Sequence, residues 1–168
     1  MENIVKSWEA EIHHKLVAEQ IDSIDQEHFS MATNNKTPYK VDDVLRMGTY
    51  CCLLEGVKHP AVDMNIDESN AYFNDKFKTG FAWEVLKVFS GPPKVVFSFR
   101  HWGHLNTSSL AEEKKGKGKL IELFGTVRAI MSAEGRLQDI EIYFDQEEFM
   151  EKITAAEGKS ESKAVEVN

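Results

Sequence analysis

Histidine is the side chain best suited to moving a proton near neutral pH, and this 168-residue chain has six of them in very different settings. His101 ends a run that alternates like a strand. Val95, Phe97, Phe99 and His101 share one side, while Val96, Ser98, Arg100 and Trp102 share the other. An imidazole closing an apolar row belongs at the rim or wall of a concave interior. Burial without a partner lowers its pKa and keeps it neutral, a form suited to general acid–base work. The competing reading is a hydrogen-bonded structural histidine beside a tryptophan. His13 and His14 lie on a segment with helical spacing, so only one of them points strongly inward. His14, which shares its side with Ala10, Val17 and Ala18, is the better candidate. His28, His59 and His104 fall in loops or exposed ends and read as surface residues.

Other residues could hold a ligand. Phe97, Phe99 and Trp83 supply aromatic walls, with Trp102 beside His101, and Tyr50, Tyr72 and Glu84 could supply polar handles. Glu122 interrupts the apolar run Leu120–Phe124, so it faces either a cavity or the solvent side of an edge strand. No compact His/Asp/Glu spacing suggests three ligands converging on a metal. No G-x-S-x-G, Walker-type or G-x-G-x-x-G loop suggests acyl-hydrolase, nucleotide or dinucleotide chemistry. Neither a metal nor a cofactor is expected.

These residues must be positioned by two kinds of element. Ile4, Trp8, Ile12 and Leu16 recur every four residues, which predicts a helix over Met1–Ile21 with one apolar stripe. A short helix is expected over Asp25–Met31 and a turn at Asn34–Pro38. A helix follows from Asp42 or Asp43 through Leu54, and another from Asp67 to Phe77, stopped by Gly80. From Phe81 the pattern changes to strands: Phe81–Phe89, Lys94–Gly103, Lys119–Met131 and Leu137–Phe144. Ser90–Pro93 and Glu134–Gly135 read as turns. Helices first and long antiparallel strands afterwards describe an α+β domain with helices on one face of a curved sheet. Residues 1–150 are expected to form a single domain, and 151–168 a polar, flexible tail. The long polar segment between His104 and Gly118 is a candidate lid over a pocket mouth.

Composition narrows the partners. The chain is 42% hydrophobic and carries a net charge of −8, which suits a globular protein and disfavours nucleic acid. Its basic cluster, Lys114, Lys115, Lys117 and Lys119, is preceded by Glu112 and Glu113. There is no long apolar run and no leader-like start, so neither membrane insertion nor secretion is expected. Cys51 and Cys52 are adjacent, and adjacent Cα atoms at about 3.8 Å are too close for ordinary disulfide geometry. Two reduced, buried thiols in a cytoplasmic protein are the expectation.

Particular strings then resemble a known family: Lys6–Lys15 (KSWEAEIHHK), Gly80–Val85 (GFAWEV), Ser90–Pro93 (SGPP) and Phe97–Gly103 (FSFRHWG). They resemble the plant and fungal pathogen-related proteins, members of the SnoaL-like, nuclear-transport-factor-2-like superfamily. The resemblance runs from about Val5 to Asp145 and includes Leu123–Gly125 and Tyr143–Asp145. It implies a cone of helices on a strongly bent antiparallel sheet, enclosing a cavity and often dimerising through the sheet; a homodimer is therefore expected. It also implies histidine and carboxylate chemistry without a cofactor, as in cyclases, dehydratases and isomerases of that superfamily. The chain departs from the family at Asn106–Lys117 and in the long N-terminal extension of plant members. The leading expectation is a cofactor-free isomerase, dehydratase or cyclase acting on a hydrophobic polyketide or terpenoid intermediate. The alternative is a non-catalytic carrier for a small apolar ligand.

Overall fold

The computed structural model describes residues 7–8, 11, 20–58, 66–106 and 118–165. Along the chain these form β1 (Ser30–Thr33), α1 (Val41–Met47), α2 (Thr49–Leu53), α3 (Ile66–Lys76), β2 (Phe81–Ser90), β3 (Lys94–Leu105), β4 (Lys119–Met131), β5 (Leu137–Phe144) and α4 (Gln146–Val165). Five strands make one sheet in the order β1-β5-β4-β3-β2. The architecture is the expected α+β one, with helices packed on a single sheet.

Alternation sets the sheet's two faces. Along β3 every second residue from Val95 to Leu105 is buried. The register carries this side across the strands: Trp83 opposes His101, which opposes Leu123, and Val85 opposes Phe99, which opposes Gly125. Gly125 in turn opposes Phe144 on β5. Gly125 is the one gap in these rows, because a Cβ there would stand 2.7 Å from the Phe99 ring and 2.3 Å from the Tyr143 carbonyl. Gly103 is constrained in the same way, since its Cβ would meet the Gly80 carbonyl at 2.6 Å and the Phe81 ring at 2.9 Å. Irregular register at Val85/Lys87 and Val88/Ser90 in β2, and at Ile130/Met131 in β4, bends the ribbon as bulges do.

Four expectations change. The segment read as a short helix over Asp25–Met31 is a turn followed by β1. The sheet is therefore not wholly antiparallel, because β1 runs parallel to β5, with Met31 opposite Ile140. Burial decides this: Phe29 and Met31 are fully enclosed, the Phe29 N–H donates to the Asp25 carbonyl of the turn at 2.7 Å, and Met31 exchanges backbone hydrogen bonds with Tyr39 at 2.9 and 2.8 Å. The single helix expected through Leu54 is two helices, α1 and α2. Gly48 breaks it at φ 91°, while its N–H still closes α1 on the Val44 carbonyl at 2.9 Å. The polar segment expected as a tail continues α4 as far as Val165, with Ile153 fully buried. The turn at Asn34 and Asn35 is as expected, both residues adopting positive φ, and the Asn34 side chain exchanges hydrogen bonds with the Phe144 backbone at 2.9 and 3.1 Å.

Candidate functional site

The helices bring α2 down onto the inner face of β3. Tyr50, Cys51, Cys52 and Leu53 are all buried there. The break at Gly48 turns the second helix so that Tyr50 reaches His101, 51 residues further along the chain, with 3.3 Å between the Tyr50 hydroxyl and His101 Nε2. His101 is only 2% exposed. Its other nitrogen, Nδ1, lies 3.1 Å from the Ala82 carbonyl on β2. A carbonyl can only accept, so Nδ1 carries the proton. In the neutral ring Nε2 is then the acceptor for the Tyr50 hydroxyl. The result is an ordered chain from phenol to imidazole to backbone.

Aromatic rings hold this chain in place. Tyr50 stacks on Phe73 of α3 at 4.0 Å, and His101 packs between Phe81 at 3.7 Å and Trp83 at 4.7 Å. Phe81 is fixed in turn by Phe77 at 4.1 Å, the close approach that the bare backbone of Gly103 permits.

Two small cavities lie along this inner face. One, about 10 Å³, is bounded by Tyr50, His101, Trp83, Phe99, Leu123 and Phe149. The other, about 30 Å³, is bounded by Trp8, Trp83, Phe97, Met131, Ile140 and Ile142, together with other apolar side chains. Trp83 belongs to both linings and is their shared wall. No ionisable side chain lines the larger one among the described residues. The Trp8 indole N–H is buried without a hydrogen-bond partner among the described residues.

The site residues named from the sequence separate clearly. His101, Tyr50, Trp83 and Phe99 meet at the smaller cavity, and Phe97 lines the larger. Tyr72 sits on α3 edge-on to Phe73 at 5.2 Å, with the Lys76 ammonium over its ring, and lines neither cavity. Glu122 and Trp102 lie on the opposite face of the sheet. β4 is an inner strand, and the Glu122 carboxylate accepts a 2.6 Å hydrogen bond from Arg100 Nε. Arg100 also reaches Glu84 at 3.3 Å and covers the Trp102 ring at 4.7 Å. Desolvation pulls the Arg100 pKa down, but hydrogen bonds to Glu122 and Glu84 outweigh it and raise the guanidinium above its ordinary value. His13, His14, His59 and the lid candidate at Asn106–Lys117 lie outside the described residues, apart from Asn106 itself, whose N–H donates to the Lys76 carbonyl at 2.6 Å.

Sequence reasoning missed Trp8 and Phe81 as site residues. Trp8 was legible only as one member of a helical stripe. Phe81 carried no signal beyond its place at the start of a strand. Neither Cys51 nor Cys52 is in a disulfide, both are buried, and burial pushes the Cys52 thiol up to about 12, which leaves it unreactive near neutral pH.

Comparison with known proteins returns to the resemblance read from the strings above. The chain is 28% identical over 170 residues to the pathogen-related protein of Hordeum vulgare, a match spanning 96% of this chain and 72% of that one. No family model matches the chain. Among solved structures it is similar to an NTF2-like protein of Burkholderia thailandensis (13% identity, TM-score 0.46, 86% of this chain and 89% of that one). It is also similar to a protein of Jannaschia sp. CCS1 proposed to be a SnoaL-like polyketide cyclase (10% identity, TM-score 0.42, 92% and 91%). A third is TerC, crystallised with polyporic acid (13% identity, TM-score 0.49, 89% and 94%). At such identities the chemistry of this chain must be argued from its own residues. Among those described, no helix is long and apolar enough to cross a membrane.

Proposed function

We propose that this pathogen-related protein homologue is a cofactor-free isomerase, dehydratase or cyclase, acting on a hydrophobic polyketide or terpenoid intermediate. The observation that carries the reading is the buried Tyr50–His101 pair facing a cavity walled by Trp83 and Phe99. In this reaction class a proton leaves one carbon and returns to another, or a hydroxyl departs with a proton. Nε2 of His101 can take a proton from a substrate carbon while the Tyr50 phenol turns to donate a hydrogen bond to a substrate oxygen. The imidazolium so formed returns that proton to another carbon or to a departing hydroxyl, which leaves as water. The Ala82 carbonyl holds the ring in one orientation throughout. Removing water from around the pair strengthens both steps. Phe97, Phe99 and Trp83 would fix the substrate's conformation.

The test is incubation of the protein with polyketide and terpenoid intermediates, following isomer or dehydrated product by mass spectrometry. Turnover should fall in Tyr50→Phe and His101→Gln while ligand affinity is retained. A pericyclic cyclisation gives the reverse pattern, with histidine variants active and Trp83→Ala or Phe99→Ala inactive. A second reading, a carrier of small apolar ligands, is favoured by the larger cavity, whose lining holds no ionisable group among the described residues. Saturable binding without product in any variant would select it. The same reading includes a cytoplasmic homodimer, for which Phe124 and Leu120, exposed on the outer face of the sheet, offer a contact. A monomeric mass by light scattering would remove that part.

A further inference from the structure

We propose that the indole N–H of Trp8 is a ligand-recognition donor, so that the molecule taken up is neutral and carries a hydrogen-bond acceptor, a ketone, lactone or ether oxygen, on an apolar body. The inference rests on the pocket reading above and names the ligand class for that pocket.

Trp8 is 6% exposed and forms part of the wall of the larger cavity, which Trp83 also lines. A buried indole N–H almost always finds an acceptor. This one has none among the described residues. Its neighbours in the wall are Val95, Phe97, Met131, Ile140 and Ile142, none of which offers an oxygen from its side chain. Water is a poor occupant of such a place, because it needs two to four polar partners and the walls are overwhelmingly carbon. A ligand oxygen needs only the one donor.

Charge is excluded by the same walls. A carboxylate or ammonium brought among them would be desolvated with no counter-charge in the lining, a far larger cost than one hydrogen bond returns. At about 30 Å³ the cavity is smaller than any ring-bearing ligand, so its walls must part to admit one. The buried Trp8 N–H lies in those walls with its hydrogen bond unmade among the described residues, ready for an acceptor that the parting brings within reach. Trp83, which lines this cavity, also lines the Tyr50–His101 cavity, so the two sites share a wall.

The test uses the full chain labelled with ¹⁵N and two matched probes, 1-indanone and indane, which differ by one carbonyl. The three tryptophans give three indole N–H signals, of which Trp8→Phe identifies one. Both probes should shift the resonances of cavity residues, but only 1-indanone should move the Trp8 N–H strongly downfield. Trp8→Phe should weaken 1-indanone by about 2- to 10-fold and leave indane within about 2-fold. If both probes bind and the Trp8 N–H responds equally to each, or if Trp8→Phe weakens both equally, the donor role is overturned while the pocket stands. If neither binds, the pocket reading itself falls, and the donor role with it.

Discussion

The two faces of β3 and β4 are built from interleaved residues yet hold opposite chemistry. On the inner face, Phe97, Phe99 and His101 sit among apolar neighbours, and the Tyr50 hydroxyl meets His101 Nε2 at 3.3 Å. On the outer face, one residue away in each direction, Arg100 joins Glu84 and Glu122 and lies over Trp102, and Arg128 pairs with Asp139 at 2.7 Å. The difference teaches where proton chemistry can happen. A carboxylate held by a guanidinium in contact with water is committed to that partner and screened by solvent. In the proposed reaction it is the phenol–imidazole chain of the interior that passes a proton to a ligand.

The sharpest way to break this comparison is to remove one titratable group from each face. His101→Gln should lower turnover on the identified substrate by roughly 10²- to 10⁴-fold, the usual worth of a positioned acid–base group. Glu122→Gln should leave turnover within about 2-fold. Steady-state kinetics on the two variants decides it, and equal losses would mean that the outer face takes part in the reaction.

Stability should show the same asymmetry. Phe99 is fully buried against Trp83 at 4.2 Å, and Phe99→Ala should cost about 3–5 kcal/mol in urea unfolding. Phe124, the residue before the Gly125 that opposes Phe99, is 56% exposed, and Phe124→Ala should stay within about 0.5 kcal/mol. Gly125→Ala falls between them. Its new methyl would press on the Phe99 ring and the Tyr143 carbonyl, for a loss of about 1–3 kcal/mol. A neutral Gly125→Ala would show that the ring and strand can yield, and that the inner rows are looser than their spacing implies.

How much of this was legible beforehand follows from range. The alternation Val95–His101 is a period of two within one strand, and it placed Phe97, Phe99 and His101 on the inner face directly. β4 and β5 were readable to the residue for the same reason. Glu122 was ambiguous because its own strand fixes a face but not which face is wet. That depends on Arg100 in the neighbouring strand, 22 residues away. The short strand β1 was read as a helix because its signal is the β5 edge it pairs with, more than 100 residues later. Tyr50 was named only as a possible polar handle, and its meeting with His101 needs the break at Gly48. Trp8 was visible as a stripe residue, but an unpaired N–H is a property of the packed wall and leaves no trace in spacing.

The smallest expected effect is on the outer face itself. Glu122→Gln removes one of two carboxylates on Arg100, yet Glu84 remains at 3.3 Å, and the guanidinium keeps its place over Trp102. Exposed ion pairs gain little, because water and salt screen them and ordering two long side chains costs entropy. The melting temperature should therefore move by less than about 2 °C, and the difference from the parent should shrink further as salt is raised. A large drop that persists in high salt would mean that the Arg100–Glu122 contact is packed against something dry. The outer face would then be a covered surface in solution, and the contrast between the faces would be one of two interiors.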